Sequence, residues 1–228
     1  MNTNMAEPDL VVSDEIIQEK FEIQKYTYLH IKRVFDVVLS FFGIIVLLPA
    51  FIVIGILIKY DSHGPVFYKH KRIGKNGKTI YLYKFRTMVN DADNILKEML
   101  KEEKYRKQWE ENQKIENDPR ITNIGKIIRK LSIDELPQLF NVLKGEMSLI
   151  GPRPLVEGEL DAHHGNHEIY ESIRPGISGW WAANGRSSIT YKERLELEYY
   201  YVKNCSLKLD IKCFFKTIAI IMSRKGAK

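Results

Sequence analysis

From Val37 to Ile58 the chain reads VVLSFFGIIVLLPAFIVIGILI, 22 residues without a charge. At about 1.5 Å per residue a helix of that length just matches a bilayer core of about 30 Å. Nothing along the run supplies the polar face that a helix of a soluble protein keeps. A secretory signal is disfavoured further, because the run starts after more than thirty residues, is too long for an h-region and lacks a clear small-residue cleavage site. Pro49 lies near its middle, where it removes a backbone donor and predicts a kink. Both flanks are basic, with Lys25, Lys32 and Arg33 before the run and Lys59, Lys69, Lys71 and Arg72 after it. The positive-inside rule therefore places both ends on the cytoplasmic side. A helix broken at Pro49 that dips into the membrane and returns satisfies both signals; a spanning helix that tolerates its proline is the alternative.

The remainder has the balance of a folded chain: over 228 residues, 44% are hydrophobic and 28% charged, and no repeat period is visible. Cys205 and Cys213 have no partners at zinc-site spacing and cannot build a disulfide scaffold, so they read as small buried hydrophobes on a reducing, cytosolic face. The net charge of +6 is uneven. Residues 1–25 hold six acids against Lys20 and Lys25, which leaves the rest at +10. Such an excess suits a polyanion: nucleic acid, anionic lipid or a phosphorylated substrate.

Asp61-Ser62-His63-Gly64-Pro65 ends the apolar segment as a turn cluster. Val66 to Ile73 and Thr79 to Met88 are β-branched and aromatic, and Asn76-Gly77 between them supplies left-handed turn positions, so a β-hairpin is predicted. Its Lys69, Lys71, Arg72, Lys84 and Arg86 read as solvated positions or headgroup contacts. Asp91 to Gln113 reads as one amphipathic helix that either lies in the membrane interface or packs on the domain. Ile124 to Leu131 is a short basic amphipathic stretch.

Leu136, Leu139, Phe140 and Leu143 recur at helical spacing, and Gly145 reads as a C-terminal cap. Two starts compete. Ser132 with Glu135 matches a capping box, but Asp134 as the cap moves Pro137 into the first turn, where proline is tolerated, and is preferred. Either start puts Asp134 and Glu135 at the positive end of a helix. An acidic first turn complementing the dipole is the plain explanation, and a chemical role needs more. Gly151-Pro152-Arg153-Pro154 supplies it, since an arginine held between two residues of fixed φ suits bidentate recognition of phosphate. In the loop Arg174 to Arg186, Trp180 or Trp181 could stack a base or pack in the core. His163, His164 and His167 suggest a metal, but their surroundings read as an exposed loop.

Five motifs occur in order: Lys32-Arg33-Val34-Phe35-Asp36, Lys84-Phe85-Arg86-Thr87-Met88, Asp118-Pro119-Arg120-Ile121-Thr122, Asp134-Glu135-Leu136-Pro137-Gln138 and Leu149-Ile150-Gly151-Pro152-Arg153-Pro154. Together they resemble the bacterial sugar transferases, the monotopic polyprenyl-phosphate phosphoglycosyl transferases, from about Tyr26 to the C-terminus. Some members carry Ser-Pro at the helix break, where this chain has Leu48-Pro49. The resemblance implies an enzyme, in its minimal catalytic form, that transfers a sugar 1-phosphate from a UDP-sugar to undecaprenyl phosphate, releases UMP and starts a surface polysaccharide or glycoconjugate. It implies a re-entrant helix and a catalytic domain facing the cytoplasm at the bacterial inner membrane. Carried over by position, Asp134 is the carboxylate nucleophile, Glu135 its partner, and both are expected Mg²⁺ ligands. Arg153 is expected on phosphate, and Arg86, Arg120, Arg129, Asn184 and Arg186 are the further expected phosphate or substrate contacts.

The expected fold is therefore mixed α/β (α+β). Residues 1–25 form an acidic tail, 26–60 a re-entrant membrane helix kinked at Pro49, and 61–228 a cytosolic catalytic domain with a β-hairpin and interfacial amphipathic helices. Membrane lipid is an expected partner, nucleic acid is not, and homo-oligomerisation is left open. A membrane-tethered polyanion binder and a non-catalytic scaffold are the rival classes.

Overall fold

The computed structural model describes the backbone of residues 8–112, 115–184 and 189–223. One helix, α1 (Pro8–Asp61), carries the whole apolar run and begins inside the acidic segment. Along it Tyr28, Lys32, Asp36, Ser40, Phe51, Gly55 and Ile58 are buried at helical spacing, and Leu47 and Ile54 pack on the same side. One face thus lies on the rest of the molecule on both sides of Pro49. The opposite face is bare: Val46 is 76% exposed and Phe51 6%.

The helical backbone continues through Pro49 as one element. A mid-helix proline costs roughly 3 kcal/mol, and packing of Leu47 and Phe51 against Phe85 and Phe140 holds the helix on either side.

Strands β1 (Phe67–Ile73) and β2 (Thr79–Phe85) form the predicted antiparallel hairpin, with Tyr68 opposite Lys84 and Arg72 opposite Ile80. Its turn, Lys75–Gly77, has Asn76 at φ 56° and Gly77 at φ 69°, the left-handed positions read from the sequence. Where one helix is expected over Asp91–Gln113, the described part, up to Asn112, is two helices, α2 (Ala92–Met99) and α3 (Glu103–Asn112). Lys101 and Glu102 donate to the carbonyls three residues back, which tightens the chain out of the α-helical ladder between them. Next comes α4 (Asn123–Lys130), capped by the Thr122 hydroxyl on the Gly125 amide.

Asp134 and Glu135 lie in a 3₁₀ turn, Ile133–Gln138, with α5 (Leu139–Lys144) after it. Both sequence-based starts are therefore corrected. Ser132 is left-handed with no side-chain cap, and Asp134 is inside the turn. Pro137 has no N–H for the Ile133 carbonyl, so the α-helical ladder starts only beyond it. Gly145 ends α5 at φ 83°, as expected.

Two short parallel strands follow, β3 (Ser148–Ile150) and β4 (Gly176–Ser178). Between them are α6 (Glu159–Ala162) and α7 (His167–Tyr170), and after them α8 (Tyr191–Asn204) and α9 (Leu207–Ser223). At the β3–β4 ends Gly151 and Gly176 touch backbone to backbone: a Cβ on Gly176 would sit 2.1 Å from the Gly151 nitrogen. That contact sets the start of the Pro152-Arg153-Pro154 loop. Cys213 is fully buried in the core formed with Ile150, Tyr201 and Val202, and Cys205 packs at its edge, in keeping with their sequence reading.

Both ends of the membrane-compatible helix are bonded to this one body. Near its start Lys32 pairs with Asp210 at 2.7 Å, Arg33 reaches the Val142 and Leu143 carbonyls, and Asp36 accepts the Leu149 amide at 3.0 Å. At its end Asp61 accepts the Ile124 amide at 2.8 Å.

Candidate active site

Asn141 positions the carboxylate turn. Fully buried, it accepts the Tyr83 amide at 2.9 Å and donates to the Tyr81 carbonyl at 2.7 Å and to Glu146 at 2.6 Å. A side chain thus takes the place of a third strand beside β2, which locks α5 and the preceding turn against the hairpin. Asp134 and Glu135 are set beside Lys84, whose Nζ lies 2.6 Å from Glu135 Oε1. Burial, then the neighbouring Glu135, pushes the Asp134 carboxyl above its usual range, while Lys84 and Arg129 pull it back. Arg129, from the last turn of α4, donates through Nε to the Thr87 hydroxyl at 2.8 Å. Asp134 is the strongest charge acting on that guanidinium, ahead of Asp118 and Arg120.

Arg153 is clamped through both polar atoms of its main chain: the amide donates to Glu198 Oε1 at 3.0 Å, and the carbonyl accepts from the Tyr170 hydroxyl at 3.0 Å. Its guanidinium lies 5.8 Å from the Trp181 ring centre, which Arg194 also faces at 5.4 Å. Glu198 is fully buried, and burial pushes its carboxyl up to about 8. Its other oxygen, Oε2, has no hydrogen-bond partner. Arg194 meets its charge on Glu159 at 3.1 Å.

Of the expected site residues, Asp134, Glu135 and Arg129 come together, and Arg153 lies by β1, where Leu155 bridges to Ile73 and the Arg153 charge acts on His70 and Arg72. Arg120 is committed elsewhere, because its guanidinium grips Asp118 through two nitrogens at 2.6–3.1 Å with both side chains 5% exposed. It reaches the site only through its charge on Arg129. Arg86 is a correction. It donates to the His63 and Ser62 carbonyls and to the Ser62 hydroxyl, and so closes the C-terminus of α1 instead of facing a ligand. Asn184 bonds the Trp180 carbonyl at 2.6 Å and Lys216 on α9, away from the carboxylates. Arg186 lies outside the described residues.

The histidines do not converge: His163 stacks on Tyr191 at 3.5 Å, while His167 sits between Asp161 and Glu171, 2.7 Å from each. Among the described residues no group of three or more potential ligands could hold a metal. Trp180 packs against the core, as read for one of the pair.

Sequence reasoning missed Lys84, Glu198 and Tyr170. The signal for Lys84 was present: it opens the Lys84-to-Met88 motif, on the strand face shared with Leu82. Glu198 had none, as it is one acid among several in a charged helix.

The family model for bacterial sugar transferases matches residues 27–224. A protein of Haemophilus influenzae described as an uncharacterized sugar transferase is 44% identical over 99% of this chain and 48% of its own length. An undecaprenyl-phosphate galactose phosphotransferase of Salmonella typhimurium is 41% identical over 99% of this chain and 47% of its own length. The exopolysaccharide production protein ExoY of Sinorhizobium fredii is 42% identical, over 86% of this chain and 87% of its own length. The chain thus spans about half the length of the first two and most of the third.

Proposed function

Since the chain belongs to the bacterial sugar transferase family, we propose that it transfers a sugar 1-phosphate from a UDP-sugar to undecaprenyl phosphate, with release of UMP. The observation that carries the reading is the half-buried Asp134 beside Glu135, facing Lys84 and Arg129. The name of the Salmonella relative supplies the acceptor class.

Two displacements account for the arrangement. An Asp134 carboxylate oxygen attacks the phosphorus bonded to the sugar. A new O–P bond forms, the bond from that phosphorus to the bridging oxygen breaks, and the electron pair leaves with UMP. A phosphate oxygen of the lipid then attacks the same phosphorus and returns Asp134 as a carboxylate. The acceptor is already ionised at neutral pH, so no general base is required. Lys84 and Arg129 keep Asp134 ionised against its burial and offset the charge that gathers as phosphate approaches.

Asp134 and Glu135 fit Mg²⁺ in the manner that ion adopts with phosphates, one or two carboxylates with phosphate oxygens and water completing the shell. Bound there, it would neutralise the diphosphate, with Glu135 as the principal ligand.

For location, the reading is a monotopic protein of the cytoplasmic membrane. Its support is that α1 is bonded to the domain at both ends of its apolar run: were that helix to cross the bilayer alone, the bonds at Arg33, Asp36 and Asp61 could not all be kept. The bare face of α1, together with exposed Ile211, Phe214 and Phe215 on α9, suits contact with lipid.

The test is a panel of UDP-sugars offered to the full chain in lipid nanodiscs with undecaprenyl phosphate and Mg²⁺, with UMP as the readout. Asp134→Asn should abolish UMP release and lipid product alike. Without lipid acceptor, the wild type should release about one UMP per enzyme and hold a sugar-phosphate adduct on Asp134. UMP released only with acceptor present, and no trappable adduct, would replace this route by direct displacement.

A further inference from the structure

Two side chains of β1, His70 and, two residues on, Arg72, stand on the hairpin face that also carries Lys84, the partner of Glu135, and the end of β1 bridges from Ile73 to Leu155, two residues beyond Arg153. Arg72 is half-buried, and its one hydrogen bond among the described residues runs from Nη2 to His70 Nδ1 at 3.4 Å. No carboxylate lies within ion-pair distance of it there. Among the described residues the Arg153 guanidinium makes no ion pair; it lies by the Trp181 ring and acts on the Glu159 carboxylate through its charge. Burial, then the charge of Arg153, pulls the Arg72 pKa down, while Glu159 and Glu135 act the other way. Two half-buried guanidinium groups thus lie within each other's field with no ion pair of their own among the described residues, and Glu159, already paired with Arg194, is the first carboxylate that acts on both. A further anion placed against them would offset their mutual repulsion.

His70 explains how the arrangement is tolerated. Burial first, then Arg72, Lys84 and Arg153, hold its pKa down to about 4, so it is neutral at physiological pH. A neutral ring can stand among three cations, and its lone-pair nitrogen accepts from Arg72 where a protonated ring could not.

We propose that Arg72 is a diphosphate contact of the donor nucleotide, held by His70. This deepens the sugar-phosphate transfer reading and rests on it. A nucleoside diphosphate carries two phosphates in tandem, and Arg72 and Arg153 offer two guanidinium groups that make no ion pair among the described residues, Arg72 standing on the strand face that carries Lys84, the partner of Glu135. The planar fork of Arg72 suits two oxygens of one phosphate group.

The experiment uses the full chain in nanodiscs. Arg72→Gln should raise the KM for the UDP-sugar about 10- to 100-fold while kcat falls less, as expected for loss of a charge-assisted contact already made in the ground state. In an Asp134→Asn background, equilibrium binding of UDP with Mg²⁺ should weaken in step, and binding of UMP should weaken less. His70→Leu, which removes the acceptor, should share part of the Arg72→Gln defect, and His70→Gln, which restores a neutral acceptor, should recover part of that loss. If Arg72→Gln does not fold, Arg72→Lys carries the test, with a raised KM still expected because the fork is lost. An unchanged KM and unchanged UDP affinity in the folded variant would overturn the proposal while leaving the transfer reaction standing. A wild type that neither binds UDP nor releases UMP would overturn both.

Discussion

Lys84 Nζ lies 2.6 Å from Glu135 Oε1, with the lysine side chain 22% exposed and the glutamate 43%. The pair joins β2 of the hairpin to the 3₁₀ turn and sets a positive charge beside both carboxylates. At that exposure it contributes at most about 1 kcal/mol to folding, so its consequence is electrostatic.

Lys84→Met should therefore leave the folded protein nearly as stable and impair its chemistry. Lys84 lowers the Asp134 pKa, and its removal lets burial and Glu135 raise that pKa further. A raised pKa leaves less carboxylate at a given pH, so the acid limb of the kcat/KM profile should move to higher pH. A limb that stays in place would show that Lys84 does not act on the nucleophile.

Arg86 should behave in the opposite way. Its buried guanidinium satisfies carbonyls at the end of α1, and Arg86→Met would leave them bare. Hydrogen bonds from charged groups are worth about 1.5–3 kcal/mol, so thermal unfolding should shift down by several degrees. Activity per folded molecule should stay close to wild type, and a loss at constant stability would return Arg86 to the phosphate contacts.

Glu198 makes stability depend on pH. Its folded pKa of about 8 exceeds the ordinary 4.5, so the folded state binds more protons than the unfolded one between those values. The advantage of the neutral carboxyl is complete below about 4.5 and is lost as the pH rises through about 8. Glu198→Gln removes the titration. The stability of the variant relative to wild type should climb across that window and level off above it, as read by denaturant unfolding. Parallel curves would place the Glu198 titration elsewhere.

For topology, single cysteines at Tyr26 and Glu110, in a background with Cys205 and Cys213 replaced, should both be protected from an impermeant thiol reagent in intact cells. Labelling at Tyr26→Cys alone would mean that α1 crosses the membrane.

Metal dependence separates the two carboxylates. Asp134→Asn should be inactive at any Mg²⁺ concentration, because an amide forms no acyl phosphate. Glu135→Gln should be severely slowed and recover part of its rate as Mg²⁺ is raised. Indifference of Glu135→Gln to Mg²⁺ would remove Glu135 from the metal site.

Features that depend only on neighbours along the chain are legible in the amino-acid sequence. The uncharged run needed only its own composition to be a helix long and apolar enough to cross a membrane, and Asn76-Gly77 needed only its own φ preference to make a hairpin turn. The Asp134-Glu135 pair and the arginine between two prolines were visible for the same reason. Only the tertiary structure decided which cation serves which anion, since those partners are remote in sequence. Lys84 meets Glu135 across 51 residues, Arg153 meets Glu198 across 45 and Lys32 meets Asp210 across 178. Lys84 and Arg86 illustrate the limit. The strand ends at Phe85, so its alternation no longer governs Arg86, which turns to the bare carbonyls at the end of α1 while Lys84 stays with the carboxylates. A charged side chain takes its role from whichever unsatisfied oxygen the fold brings within about 3 Å, and that distance is a property of the packed chain.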